Sequence, residues 1–178
     1  MSKSVFKIFA ITGSTRKNSS NYKILKYISE NIKSEFEIEI FEDLGEIPHF
    51  NPDLDTENPP EKVTLFRDKI KEADGVLICT PEYVFSLPGS LKNALEWCVS
   101  TVIFSKKRTG LITASASGEM AYDQLSLIMK TLEAQFDRKT QLLIQGVRGK
   151  MNEKGEIINK ETAIALDDFI RNFENQFV

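Results

Sequence analysis

Apolar positions along the chain follow two rhythms. Short, nearly unbroken apolar runs occur at Val5–Ile11, Val76–Cys79, Thr109–Ala114 and Leu142–Ile144. Unbroken runs suit strands covered on both faces. Between them the spacing turns helical. Tyr22, Ile24, Leu25, Ile28 and Ile32 mark a helix over Ser20–Lys33, with Ser19 or Ser20 as its cap, and Val63, Leu65, Phe66 and Ile70 mark one over Glu61–Ala73. Leu91, Ala94, Leu95, Cys98 and Val99 predict a helix over Gly89–Ser100, and another follows over Met120–Gln135. A last helix, from about Lys160, carries Ile164, Leu166, Phe169, Ile170 and Phe173. Glu35–Ile40 alternates instead, which predicts a strand with one wet face. Its glutamates suit a sheet edge.

Strands and helices therefore alternate, and each crossover is long enough to join parallel neighbours. The expectation is a five-stranded, doubly wound parallel α/β sheet forming one domain over residues 1–178, without repeats or linker. Placing the alternating strand at an edge selects the flavodoxin-like order 2-1-3-4-5. Leu44–Pro60, with Pro48, Pro52, Pro59 and Pro60, is a long irregular segment of the kind that can border a pocket.

Composition narrows the function. With 178 residues, a net charge of −3 and a pI near 5.4, the chain lacks the surplus of Lys and Arg that nucleic acid demands. No run approaches the ~18 apolar residues of a membrane span. Met1–Lys7 carries no signal-peptide pattern, so a cytoplasmic location is expected. Cys79 and Cys98 read as small core residues, and the single His49 argues against a zinc site.

In a sheet of this order a ligand binds beyond the carboxyl ends of the strands. Three loops meet there. Thr12–Asn21 holds hydroxyls, one glycine and Arg16 ahead of a helix, the recipe for a phosphate. Ser14 and Ser19 offer donors, Arg16 offers charge, Asn21 can fix the loop, and Gly13 allows close approach. The loop lacks the Gly-Lys-Ser/Thr of a Walker motif, the spacing of G-x-G-x-x-G, and the order of a nucleophile elbow. Thr80–Pro88 offers backbone groups around Pro81, Glu82 and Tyr83 for ring heteroatoms, with Tyr83 or Phe85 available to pack on a flat face. Glu82 in that loop can be read as a general acid, although a flavin carries its own hydride chemistry. Ser115–Glu119 closes the third side. Together they fit one elongated ligand with a phosphate end and an aromatic end, namely FMN.

Two blocks carry a resemblance. Gly13-Ser14-x-Arg16-x-x-Ser19-x-Asn21 resembles the phosphate loop of the NADPH-dependent FMN reductases. Thr80-Pro81-Glu82-Tyr83-x-x-Ser86-x-Pro88-Gly89-x-x-Lys92-Asn93-Ala94, followed by Trp97, resembles their second block, and Ile47-Pro48-x-Phe50-Asn51-x-Asp53 their intervening loop. The likeness runs from Phe6 to about Leu132.

It implies a flavodoxin-like fold holding FMN non-covalently, with NADPH or NADH as hydride donor. The acceptor would be a small molecule such as a quinone, an azo compound, a metal oxyanion or free flavin. It implies that Ser14, Arg16, Ser19, Ser20 and Asn21 hold the phosphate, that Pro81, Glu82, Tyr83 and Val84 cradle the ring, and that Ser115 and Gly118 close it. No protein side chain is expected to be catalytic. A homodimer or homotetramer is expected, with Trp97, Val102, Ile103 and Phe104 adding apolar surface, an extended buried helix being the competing explanation of those residues. One departure stands out: Ser115-Ala116-Ser117-Gly118-Glu119-Met120-Ala121 is poorer in glycine than the family's third loop, which sets Glu119 and Met120 to narrow the approach to the ring. Two other functions compete. One is a flavodoxin-type electron carrier, which a charge of only −3 disfavours, and the other is a binding or regulatory protein, flavin-binding or not, that keeps the fold without turnover.

Overall fold

The computed structural model of the chain describes residues 5–178. Five strands form one parallel sheet: β1 (Phe6–Thr12), β2 (Phe36–Phe41), β3 (Gly75–Thr80), β4 (Arg108–Ser115) and β5 (Gln141–Gln145). Their order is β2-β1-β3-β4-β5, as the alternating edge strand predicts. Ile11 stands opposite Ile78 across β1 and β3, and Ile78 opposite Leu111 across β3 and β4.

The helices are α1 (Ser20–Asn31), α2 (Glu61–Glu72), α3 (Gly89–Glu96), α4 (Glu119–Thr131) and α5 (Lys160–Glu174). Successive strand residues point to opposite faces, and the core divides accordingly. Phe9, Ile11, Val76, Ile78 and Leu111 pack against α2, α3 and α4. Ile8, Ala10, Leu77, Cys79 and Ile112 pack against α1 and α5. At the edge, Glu39 of β2 pairs with Lys69 at 2.8 Å, so the wet face carries its charge in partnership.

Two helices are shorter than their spacing predicts. Helix α3 ends at Glu96, and Trp97–Thr101 continue as turns. Helix α4 stops at Thr131, since Glu133 takes a left-handed φ of 61° and Gln135 then bridges to Arg108 beside the sheet.

The proline-rich segment starts beside the first loop, where Gly45 lies against Thr15, and then packs on α2 and α3. The Asn93 amide accepts from Phe50 N at 2.7 Å and donates to Pro48 O at 3.0 Å. The Trp97 indole N–H donates to Pro48 O at 2.8 Å, and Arg67 bonds Asp55 at 2.7 Å. The segment thus covers α2 and α3. Pro48 and Phe50 lie against Trp97, and Trp97 and Phe104 are 0% and 1% exposed. Those two side chains belong to the core and add no outward apolar surface, unlike Val102.

Candidate cofactor cleft

At the carboxyl end of the sheet lies a cleft of about 540 Å³. Four loops line it. From the first come Ser14, Arg16, Ser19, Ser20 and Asn21, and from the second Pro81, Glu82 and Tyr83. The third gives Ala114, Ser115 and Ala116, and the fourth Gly146–Gly149. Nine of the residues expected from the sequence are therefore brought together. Val84 and Gly118 do not line the cleft.

The phosphate end is closely built. A Cβ on Gly13 would fall 2.3 Å from Thr80 Oγ1, so only glycine lets the first loop lie against β3. Gly13 N donates to Cys79 O at 2.8 Å, continuing the sheet ladder one residue into the loop. Ser19 caps α1, its Oγ accepting from Tyr22 N at 3.1 Å, and Ser14 Oγ accepts from Arg16 N at 3.3 Å. Both hydroxyls spend a lone pair on the backbone and keep their own O–H free to donate. Helix α1 opens with Ser20 and Asn21, whose N–H groups have no intrahelical acceptor, and its first turn holds no acid. Asn21 Oδ1 accepts from the Cys79 thiol at 3.3 Å, which leaves the amide donors for the cleft. Burial pushes the Cys79 thiol far above its ordinary value, so it stays protonated and can donate that bond.

Positive charge gathers around this end without being spent. Among the described residues neither Arg16 nor Arg148 has an ion-pair partner. The donor set fits a phosphate ester: two free hydroxyls, two helix-opening N–H groups, an amide and two guanidiniums.

The ring end is built differently. The Glu82 carboxylate accepts from Ala121 N at 3.0 Å and so caps the start of α4. That bond gives Glu82 a structural role at the start of α4. Ser115 Oγ donates to Glu82 O at 3.4 Å, tying the second loop to the third. Beyond Tyr83 the chain makes a two-residue hairpin, with Tyr83 N donating to Ser86 O at 3.0 Å and Ser86 N to Tyr83 O at 3.1 Å. Val84 and Phe85 form its tip, both with left-handed φ, 53° and 56°.

Gly118 explains itself by conformation. It is the residue before α4 with φ of 93°, and a Cβ there would come within 3.0 Å of Leu143 and 3.2 Å of Thr113. Glu119 and Met120 do not narrow the cleft. The Glu119 carboxylate accepts from Gln145 Nε2 at 3.2 Å, and Met120 is 48% exposed on the outer face of α4.

The fourth loop is the lining that sequence reading missed. Gly146, in left-handed conformation at φ of 60°, donates its N–H to Ala116 O at 3.1 Å. This contact draws Val147, Arg148 and Gly149 to the cleft. The one sequence signal was a Gly-x-x-Gly pair directly after the fifth strand.

Three comparisons extend the geometry. Residues 6–148 match the family described as NADPH-dependent FMN reductase. The chain is 29% identical to the NADH:(hydroxy)cinnamate reductase subunit of Vibrio ruber, covering 92% of this chain and 83% of that one. It is 28% identical to the 2-hydroxy-1,4-benzoquinone reductase of a Burkholderia species, covering 94% and 93%. Among solved structures it superposes on a flavoenzyme NAD(P)H:(acceptor) oxidoreductase of Paracoccus denitrificans with a TM-score of 0.82 and 26% identity, covering 97% of both chains.

Proposed function

The chain belongs to the NADPH-dependent FMN reductase family, and on that premise we propose that it uses NAD(P)H to reduce a quinone. It is an FMN-dependent NAD(P)H oxidoreductase. The choice of quinone rests on relatives named quinone reductase or hydroxybenzoquinone reductase. The observation that carries the reading is the polarity of the cleft. One end gathers Ser14, Ser19, Arg16 and the start of α1 around an anion site, and the other is walled by Pro81–Tyr83 and Ala114–Ala116.

Within that cleft each group of residues has a separate task. Bound FMN would supply the hydride and two-electron chemistry of the overall reaction, in which NAD(P)H, a proton and a quinone give NAD(P)+ and a hydroquinone. Arg16, Ser14, Ser19 and the N–H groups of Ser20 and Asn21 hold the phosphate and fix the ligand's position along the cleft. The backbone of Pro81–Tyr83 and the side chain of Ser115 orient the ring. Glu82, held by α4, keeps that loop in place. No side chain is assigned a proton transfer, because the hydride chemistry belongs to the flavin.

The same reading places the protein in the cytoplasm as a homodimer or homotetramer. Among the described residues no helix is long and apolar enough to cross a membrane. The test is spectroscopic. Purified protein loaded with FMN should bleach anaerobically on adding NADPH or NADH and regain colour on adding a benzoquinone. Flavin that binds but does not bleach with either nucleotide would move the protein to the electron carriers. Failure to take up FMN would leave only a regulatory role.

A further inference from the structure

We propose that Val84 and Phe85 form an apolar platform at the mouth of the cleft that selects acceptors, receiving the hydrocarbon tail of a lipophilic quinone whose head group enters the cleft. This rests on the quinone-reductase reading and adds a class of substrate to it. Reciprocal bonds between Tyr83 and Ser86, with left-handed φ at both intervening residues, define a type I′ hairpin turn. Such a turn favours Asn-Gly, and a β-branched residue is among the worst occupants of left-handed conformation. Here the two positions hold Val and Phe.

The chain gains no burial in exchange. Val84 is 95% exposed and Phe85 72%. Nor is the tip loosely tethered: Ser86 Oγ donates to Gln124 Oε1 at 2.7 Å, and Gln124 Nε2 donates to Phe85 O at 3.2 Å. Two apolar side chains are thus held in an unfavourable backbone, facing water, directly after three residues that line the cleft. Unrelieved strain of this kind clusters at functional sites.

The apolar surface continues from the tip. Met120, Gln124 and Leu127 are spaced i, i+4, i+7 on α4 and share one face. Gln124 pins the tip there, while Met120 and Leu127 are 48% and 66% exposed. The strip runs from Tyr83 at the cleft rim outward over Val84, Phe85 and α4, which suits an elongated apolar group leaving the cleft. The exposed carboxylate of Asp123, beside the strip, and that of Glu119 disfavour an anionic acceptor.

The experiment uses the FMN-loaded protein and two benzoquinones with the same head, one bearing a decyl chain and one without it. Phe85→Gly should raise KM for the decyl quinone about tenfold, the loss of one partly buried aromatic contact. It should leave KM for the tailless quinone within about twofold, with FMN affinity unchanged. The paired change Val84→Asn with Phe85→Gly should raise Tm by roughly 4 °C or more, because it installs the residues the turn favours. A tip that served stability would lower Tm instead. Three results overturn the platform while sparing the quinone-reductase reading: wild-type protein that treats the two quinones alike, variants that raise both KM values equally, or a fall in native mass on light scattering, which would assign the tip to a contact between copies. Wild-type protein that reduces neither quinone removes the reading itself, and the platform with it.

Discussion

The two ends of the cleft are made in opposite ways. The phosphate end is buried and hydrogen-bonded: Ser14, Ser19 and Asn21 are each 4% exposed, and each has a partner within 3.3 Å. The ring end is exposed and strained, with Tyr83 at 53% and the tip beyond it in left-handed conformation. An anion needs N–H and O–H donors at fixed places, and any strand-loop-helix unit can supply them from its backbone. A flat ring and a changing second substrate need a surface whose side chains differ from one protein to the next. On the proposed reading, the first end would hold the cofactor and the second would discriminate among its reaction partners.

That contrast can be broken most severely at Gly13. Gly13→Ala puts a methyl group 2.3 Å from Thr80 Oγ1, and the first loop must lift off β3. We expect a stability loss of about 2–3 kcal/mol by chemical denaturation, together with loss of FMN retention. Retained flavin at wild-type stability would mean that the loop does not need its closeness to β3. Next comes Arg16→Ala. Losing one charge-assisted bond, about 2 kcal/mol, should raise the FMN dissociation constant by roughly thirtyfold while leaving Tm nearly unchanged. Flavin fluorescence titration measures it, and an unchanged constant would remove Arg16 from the phosphate site.

Glu82→Ala sharpens the other side. Removing the cap of α4 should cost about 1 kcal/mol of stability. The effect on riboflavin, which has the ring but lacks the phosphate, should at least match that on FMN. A selective loss of FMN would contradict the division of labour. The smallest effect is acid sensitivity at a distance from both ends. Burial alone would raise the Asp55 carboxyl, but bonds from Ser100 and Arg67 and the Arg67 charge outweigh it and hold the group below its ordinary value of 3.8. A lowered folded value means that its stabilisation is complete above the ordinary value and is lost as pH falls through the folded one. Between pH 5 and pH 2, unfolding midpoints should therefore fall less steeply in Asp55→Asn than in wild type.

Much of the fold could be read along the chain, for reasons that lie in particular residues. Val76–Cys79 is apolar without a break because β3 is central, and Glu35–Ile40 alternates because β2 is the edge. The donors of the first loop could be listed from the sequence because they are local in it, and the structure brings them to one cleft. The misses share the opposite property. The role of Glu82 depends on Ala121, 39 residues away. Gly146–Gly149 reaches the cleft only because Gly146 bonds Ala116 across β4 and β5. Trp97 and Phe104 read as interface residues by their spacing, whereas the structure buries both, with Pro48 and Phe50 packed on Trp97. The hairpin tip carried no turn signal, since Val-Phe is what such a turn avoids.

The bond from Glu82 to Ala121 N has a mechanical consequence. It works as a latch: the Pro81–Tyr83 loop cannot swing outward without first uncapping α4. Widening of the cleft is therefore coupled to fraying of a helix. The rate at which flavin exchanges should rise with temperature in step with hydrogen exchange at the first turn of α4, well below the temperature at which the sheet gives way.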